Sequence, residues 1–145
     1  RKTARDGGQT AKGIAAQIEK TEADLLASGT PAAQAVARRL AAARKALLDV
    51  VDFVVAGAKS QPNAVFAGSV PYLMLAGNVV AGWQLARSLL VAQDLLHKGQ
   101  AEAFMRAKIT TAQFYAEHIL VKAPGLRDSI VDGSASVTEL ALDAF

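Results

Sequence analysis

A polar stripe on one predicted helix is the feature of this sequence that most resembles a functional site. Its residues follow one another at spacings of three and four, which place side chains on one side of an α-helix: Lys108, Thr111, Tyr115, His118 and Lys122. Such side chains could contact a cofactor, a substrate tail or a partner domain. The ordinary interpretation is the flank of an amphipathic helix, whose lysine stems and tyrosine ring cover the edge of the core. We favour the flank and keep the stripe as a candidate interface, because no other catalytic group can be assigned opposite it.

The residue types that other chemistry needs are absent or scattered. The chain has no cysteine, which excludes disulfides, thiolate metal sites and cysteine nucleophiles and agrees with a reducing, cytoplasmic location. His97 and His118 fall on different predicted helices without companion ligands at metal-site spacing. No carboxylate pair suits acid–base chemistry, and no glycine-rich phosphate loop follows a strand. We therefore predict no catalytic, cofactor-binding or metal-binding residue in this chain.

Composition and charge indicate one compact domain without a nucleic-acid surface. The 145 residues are 52% hydrophobic and 20% charged, which is typical of a globular domain that can bury a sizeable core. The net charge of +3 comes from the first 12 residues, and the rest of the chain is balanced. Nucleic-acid binders usually carry a basic stripe on the folded part, so we exclude that function class.

Two predicted helices meet at Gly29, Thr30 and Pro31. Glycine ends one helix, threonine caps the next, and proline occupies its first position. This punctuation predicts helices over about residues 10–28 and 31–57.

Periodicity assigns each of these helices an inner side. The first places apolar residues on one side and its acids Glu19, Glu22 and Asp24 largely elsewhere; the apolar residues are Ile14, Ile18, Leu25 and Leu26. The second carries a coiled-coil-like seam at spacings of four and three: Val36, Leu40, Ala43, Leu47, Val50 and Val54. We interpret its charged side as a solvated surface rather than a phosphate site, with Lys45 and Asp49 paired; the basic residues there are Arg38, Arg39, Arg44 and Lys45.

The third predicted helix is almost entirely apolar, and residues 60–86 contain no charge. Pro71 should start or kink it, and Gly99 should end it. Its polar interruptions argue against a transmembrane span, so we predict that it lies at the centre of a bundle, covered by its neighbours. Glycines would admit those neighbours closely and two amides would need buried partners; these residues are Gly68, Gly77, Gly82, Asn78 and Gln84.

The fourth predicted helix runs over about residues 101–122 and stops at Pro124 and Gly125. Its apolar arc comprises Phe104, Met105, Ile109, Ala112, Ala116, Ile119 and Leu120. The tail should form one or two short helices broken at Gly133 and Ser134. The predicted fold is therefore all-α, an antiparallel up-and-down bundle of four main helices plus short C-terminal helices.

Two of these helices resemble a known family. The segment from Pro71 to Gly77, continuing to Gly82 and Trp83, is similar to the central helix of the C-terminal domain of the large bacterial acyl-CoA dehydrogenases. The segment from Lys108 to Leu120 resembles the next helix of that domain, although the proline that usually follows is displaced to Pro124. Arg1 and Lys2 match the step at which that domain begins.

The resemblance implies an FAD-dependent oxidation of an acyl-CoA to its 2,3-enoyl form by a complete, homo-oligomeric enzyme. The glutamate base and the flavin loops would precede Arg1, and Glu117 and Glu139 lack the family's glutamate context, so no catalytic residue is carried over. Residues 1–9 would be a connector from a missing flavin-binding core, and residues 10–145 a single helical domain. That domain would bind no FAD, pack on the core, and shape the substrate entrance or the dimer contact.

Two other functions stay open at this point. The chain could be a free-standing helical interaction or oligomerisation module. It could also be a peripheral membrane element that uses the apolar third helix or the basic first residues against lipid.

Overall fold

A computed structural model of the protein describes residues 2–144. Arg1, which was matched to the first residues of the family's domain, and Phe145 lie outside the described residues. The α-helices are α1 (Lys2–Arg5), α2 (Gln9–Ser28), α3 (Pro31–Ser60), α4 (Pro62–Ala67), α5 (Ser69–His97), α6 (Glu102–His118), α7 (Ala123–Val131) and α8 (Ser134–Thr138). Two 3-10 turns follow α6 and α8, at Leu120–Lys122 and Leu142–Ala144. The part of the chain that the structure describes contains no strand, so the predicted all-α class is confirmed.

The junction between α2 and α3 forms as predicted. Gly29 has a φ of +69°, a left-handed conformation that glycine adopts without a steric cost. The Thr30 hydroxyl oxygen accepts a hydrogen bond from the Ala33 backbone N–H at 3.2 Å, which satisfies one of the free donors at the start of α3. Pro31 is the first residue of α3.

Helix α3 lies at the centre of the bundle and packs against α2, α5, α6 and α7. Its apolar seam is confirmed, because all six predicted residues are buried: Val36, Leu40, Ala43, Leu47, Val50 and Val54. The hydrophobic stabilisation of the fold therefore depends mainly on this helix.

Helix α5 is not the central helix, and that prediction is wrong. Its inner side is buried at Leu75, Val79 and Leu89, whereas Leu73 and Val91 on its outer side are more than half exposed. A run that is apolar on every side does not specify which side its neighbours cover, and here they cover only one. No helix within residues 2–144 has the length and apolarity that crossing a membrane requires.

Two of the three glycines predicted to allow close packing do so. A Cβ atom on Gly82 would lie 2.6 Å from Leu120 Cδ1, and one on Gly68 would lie 2.8 Å from Ile130 Cγ2. The prediction is wrong for Gly77, where a Cβ atom would meet nothing within 4 Å. Gly77 lies on the outer side of α5, which explains the difference.

The two amides of α5 do not have the predicted buried role. Gln84 is exposed, and its carbonyl oxygen accepts a hydrogen bond from Arg87 at 2.9 Å. Asn78 is half-buried, and its backbone carbonyl, rather than its side chain, accepts a hydrogen bond from Tyr115 at 3.3 Å. Both predictions assumed that α5 would be covered on all sides.

The prediction that helical structure stops at Pro124 and Gly125 is wrong. Helix α6 ends at His118, and Pro124 lies in the first turn of α7. Proline is accommodated there because the first N–H groups of a helix have no intrahelical acceptor. The break near Gly133 is confirmed, since α7 ends at Val131 and α8 begins at Ser134.

Helix α7 contacts the charged side of α3 through Arg127. Arg127 Nε lies 3.6 Å from Asp49 Oδ2, and Arg127 also pairs with Asp128 and Asp132. The predicted pairing of Asp49 with Lys45 is therefore wrong, because a side chain from a distant segment occupies that position.

Two residues predicted to face the core are more than half exposed, Leu26 of α2 and Phe104 of α6. Each lies at the edge of the apolar arc of its helix, beyond the area that the neighbouring helices cover. The short helix α4 was not predicted; it inserts Ala64 and Val65 into the core.

The first residues form a packed turn rather than a loose segment. Gly7 and Gly8 have φ values of +63° and +78° and reverse the chain between α1 and α2. Gly8 is buried, and a Cβ atom on it would lie 2.7 Å from Val51 Cγ1. The interpretation of the Gly7 and Gly8 pair as a flexible connector is thus wrong, whereas the boundary between residues 9 and 10 stays a prediction.

Candidate functional site

Within residues 2–144, Tyr115 is the one stripe residue that reaches a neighbouring helix by a hydrogen bond. Its hydroxyl donates to the backbone carbonyl of Asn78 on α5 at 3.3 Å. The ring is half-buried, and this burial raises the pKa of the Tyr115 hydroxyl above its ordinary value of 10.0. Tyr115 thus stays neutral at physiological pH and acts as a packing residue between α5 and α6.

Three other stripe residues, Thr111, His118 and Lys122, are exposed, and the first two contact their own helix. The Thr111 hydroxyl donates to the backbone carbonyl of Ala107 at 2.8 Å. The His118 ring lies against Phe114, with ring centroids 4.4 Å apart. Lys122 belongs to the 3-10 turn after α6. The structure therefore does not gather the stripe into a cluster.

Lys108 differs from these residues because it lines a groove between α5 and α6. The groove has a volume of about 430 Å³, which is in the range of small-molecule sites. Its lining is mostly apolar, with Arg87 of α5 as a second cation; the apolar residues are Val91, Ala92, Leu95, Phe104 and Met105. An apolar groove with two cations suits a ligand that has an apolar part and an anionic group.

The two cations of this α5–α6 groove lie beside aromatic rings, and Arg87 also donates a hydrogen bond to the side-chain oxygen of Gln84 at 2.9 Å. The Lys108 ammonium lies 5.1 Å from the centroid of the Phe104 ring, and the Arg87 guanidinium lies 5.6 Å from that of Trp83. Within residues 2–144 neither cation forms an ion pair with a carboxylate. Because the aromatic rings attract these cations only weakly, both charges remain available to a ligand.

A second polar cluster, which the sequence analysis missed, lies between α2, α3 and α5. Arg44 Nε and Nη2 donate to Glu22 Oε1 and Oε2 at 2.8 and 2.9 Å, and Arg44 Nη2 also lies 3.3 Å from Glu19. Trp83 Nε1 donates to the Thr21 hydroxyl at 2.8 Å. The cluster joins three helices through directed polar contacts.

Burial makes this cluster structural rather than reactive. Only 9% of the Glu22 side chain and 18% of the Arg44 side chain are exposed, so the predicted solvated surface is wrong at Arg44. The hydrogen bonds that Arg44 donates to Glu22 raise the pKa of Arg44 above its ordinary value. Both carboxylate oxygens of Glu22 accept hydrogen bonds from Arg44, so they are occupied inside the fold.

Helical spacing could have revealed Glu22. Ile18, Thr21, Glu22 and Leu25 follow one another at positions i, i+3, i+4 and i+7, and all four are buried. This is the spacing of an inward-facing side. Glu22 was assigned elsewhere because of its charge, although its position in the helix indicates a buried partner.

The remaining candidates for chemistry do not come together. His97 is exposed, and its Nδ1 lies 3.0 Å from the backbone carbonyl of Gln93. Among residues 2–144, no group of three or more His, Cys, Asp and Glu side chains could hold a metal ion. The α5–α6 groove is thus the candidate binding surface, and its site residues are Arg87 and Lys108.

Comparison with known proteins confirms the family resemblance that the sequence of α5 and α6 predicted. Residues 14–141 match the model of the family described as acetyl-CoA dehydrogenase C-terminal like. Over 142 residues, which are 98% of this chain, the sequence is 44% identical to the 3-methylmercaptopropionyl-CoA dehydrogenase of Ruegeria pomeroyi. The chain spans 24% of the length of that relative. This chain belongs to the acetyl-CoA dehydrogenase C-terminal-like family.

Proposed function

We propose that this chain is the non-catalytic C-terminal helical domain of an FAD-dependent acyl-CoA dehydrogenase, whose complete form oxidises an acyl-CoA to the 2,3-enoyl-CoA. One observation carries the proposal: almost the whole chain, 98% of it, corresponds to about a quarter of a longer dehydrogenase. The domain packs on its own catalytic core and shapes the substrate entrance or the dimer contact. The parent enzyme is a cytoplasmic homo-oligomer.

In this proposal the chain's residues do not hold the flavin or abstract a proton. The most buried carboxylate, Glu22, accepts hydrogen bonds from Arg44 at both oxygens, so it is not free to contact a substrate. The α5–α6 groove offers two cations, and the residues that line it include no glycine-rich loop of the kind that binds the phosphates of a dinucleotide. We therefore assign FAD and the glutamate base to the catalytic core.

The groove supports a role at the substrate entrance. CoA carries phosphate groups at one end and an acyl chain at the other, and the groove provides Arg87 and Lys108 beside apolar side chains. Because the two cations are exposed, their attraction for phosphate is screened by salt, and each is worth about 1 kcal/mol or less. Such contacts would help to capture acyl-CoA without taking part in the reaction.

The complete parent enzyme provides the test. We expect the reading frame that encodes this chain to encode a flavoprotein core as well, and the purified protein to carry FAD and to reduce an electron acceptor with acyl-CoA. The acyl-CoA panel should include 3-methylmercaptopropionyl-CoA, because the relative is named for this compound. A complete protein without flavin, or one that leaves every acyl-CoA unchanged, would refute the proposal.

A second experiment tests the interface role of the stripe. Alanine replacement of Lys108, Tyr115 and His118 together in the parent enzyme should lower its stability or raise its KM for acyl-CoA while the FAD content stays unchanged. Wild-type stability, KM and turnover in this triple variant would reduce the stripe to a helix flank.

A further inference from the structure

An uncovered apolar face extends from α4 along the first half of α5. Its four large side chains are all more than half exposed: Phe66 63%, Val70 73%, Leu73 72% and Met74 57%. In α5 the last three of these residues lie within about one helical turn on the same outer side, and Phe66 precedes them in α4. We refer to these four residues as the α4–α5 apolar face.

The surroundings of this face are those of an interface. Residues 60–86 carry no charge, whereas the solvent-facing sides of α2, α3 and α6 carry many. Charged residues are depleted where a surface is buried by a partner, and contiguous exposed apolar patches mark interaction sites. Gly77, one turn beyond Leu73, leaves open space above its Cα, so a partner could approach the helix backbone there.

The first described residues of the chain lie beside the same face. The Thr3 hydroxyl and the Tyr72 hydroxyl are 3.0 Å apart, which fixes α1 against α5. Lys2 and Thr3 share one cleft with Phe66 and Leu73. Any polypeptide that precedes α1 must therefore enter the domain next to the α4–α5 apolar face.

We propose that the α4–α5 apolar face docks on the part of the parent polypeptide that precedes α1. This inference rests on the proposed function, which joins the chain to a core about three times its length, since the chain spans 24% of its relative. A covalent link holds the core at a high effective concentration next to the face. An intramolecular partner can thus be bound by an apolar patch of only four side chains.

A second copy of the chain fits this face less well. Stable dimers bury about 800 Å² per partner, and four side chains supply only part of that area. The path of the chain at Thr3 also places the core next to the face, whereas a second copy would have to reach the face by diffusion.

Thiol labelling of the complete parent enzyme tests the proposal. The chain has no cysteine, so a Leu73→Cys variant places one thiol on the face, and a Leu26→Cys variant places a matched one on α2. Leu26 is 59% exposed and Leu73 is 72% exposed, so both thiols should react alike in the absence of a partner. Peptide mass spectrometry distinguishes them from any cysteine of the core, and labelling in urea normalises their intrinsic reactivity.

We expect the Leu73→Cys thiol to react at least about tenfold more slowly than the Leu26→Cys thiol, because labelling would require the domains to separate transiently. The protection should be independent of protein concentration and of lipid. Equal rates would overturn the proposal, as would protection that disappears on dilution, which indicates a second copy. Protection seen only with phosphatidylcholine and phosphatidylglycerol vesicles would also overturn it and indicate a membrane surface.

A Val70→Cys variant repeats the measurement if Leu73→Cys fails to fold. The outcome is separable from that of the proposed function. An enzyme that holds FAD and oxidises acyl-CoA, but whose Leu73→Cys thiol reacts as fast as that of Leu26→Cys, would refute the docking and leave the function intact. A complete protein without flavin would refute the function itself.

Discussion

Arg44 of α3 donates two hydrogen bonds to the carboxylate of Glu22 of α2, from Nε to Oε1 at 2.8 Å and from Nη2 to Oε2 at 2.9 Å. This planar, paired arrangement is the strongest geometry available between a guanidinium and a carboxylate. The two helices also pack through buried apolar side chains, and Lys12 of α2 pairs with Asp52 of α3 at the exposed surface. The pair of Arg44 and Glu22 therefore fixes how α2 is positioned along α3, in a way that apolar packing alone does not.

Replacing Glu22 by alanine should lower the free energy of unfolding by about 2–3 kcal/mol, because it leaves Arg44 mostly buried and deprived of its main partner. The estimate is below that for a fully buried pair, since 18% of the Arg44 side chain is exposed and water compensates in part. Urea unfolding followed by circular dichroism measures the change.

Glu19 provides the matched control. It also pairs with Arg44, at 3.3 Å, but 65% of its side chain is exposed, so Glu19→Ala should cost about 0.5 kcal/mol or less. The double variant Glu22→Met with Arg44→Met should recover much of the loss, because it removes both buried charges together. Equal losses for Glu19→Ala and Glu22→Ala would contradict this account.

Glycines 77 and 82 lie on the same helix and should respond in opposite directions to alanine. A Cβ atom on Gly82 would lie 2.6 to 3.0 Å from three atoms of Leu120, and Leu120 is buried and cannot move freely. Gly82→Ala should therefore destabilise the fold by about 1–3 kcal/mol through overpacking. Thermal and urea unfolding measure the change.

Gly77→Ala isolates the backbone effect from the packing effect. A Cβ atom there meets nothing within 4 Å, so the variant should gain about 0.5–1 kcal/mol from the higher helix propensity of alanine. If both variants are stabilised, the close contact between α5 and Leu120 is not present in solution.

Local signals and periodicity were sufficient to predict much of this fold. Gly29, Thr30 and Pro31 each act on the backbone within a few residues, so the turn between α2 and α3 could be derived from their types alone. The seam of α3 was predictable because its period matches the helix over five turns. Neither inference depends on residues far away in the chain.

What could not be predicted depends on which segments meet. The apolar run of α5 fits the centre of a bundle as well as its edge, so the exposure of Leu73 is decided by the neighbours. Glu22 finds its partner 22 residues away, and charge alone suggested a solvated position. For the candidate site, Lys108 could be singled out from its helix, whereas Arg87 became a site residue only when α5 and α6 were packed together.

Asp6 should make part of the stability dependent on pH in the acidic range. Its carboxylate accepts hydrogen bonds from the Thr10 hydroxyl at 2.6 Å, the Thr10 backbone N–H at 3.2 Å and the Gly8 backbone N–H at 3.0 Å. These bonds, with that of the Thr10 hydroxyl the largest cause, lower the pKa of Asp6 from its ordinary value of 3.8. The ionised form therefore stabilises the start of α2.

Because the pKa is lower in the folded state, this contribution is fully present above the ordinary value and is lost as pH falls through the folded value. We expect Asp6→Asn to be less stable than the wild type near neutral pH, with the difference shrinking as pH falls below the ordinary value of 3.8. Urea midpoints across this range measure it. Asp24→Asn is the control, because Asp24 is exposed in α2 and forms no hydrogen bond or ion pair among residues 2–144. This variant removes a carboxylate without changing the bonds to Asp6, so its urea midpoints should follow those of the wild type.

Arg87 and Lys108 should affect capture of acyl-CoA by the parent enzyme and not its chemical step. Each replacement by glutamine should raise KM by about fivefold or less, the equivalent of about 1 kcal/mol for an exposed charge, while kcat stays unchanged. The effect should diminish as salt is added, because screening already weakens the wild-type contacts.

Arg106→Gln removes a charge from the same exposed helix α6 without touching the groove, since Arg106 pairs with Glu102 at 2.8 Å, and its KM should match the wild type. A fall in kcat with KM unchanged would place these cations near the reacting atoms instead, and equal changes in all three variants would indicate a general effect of charge.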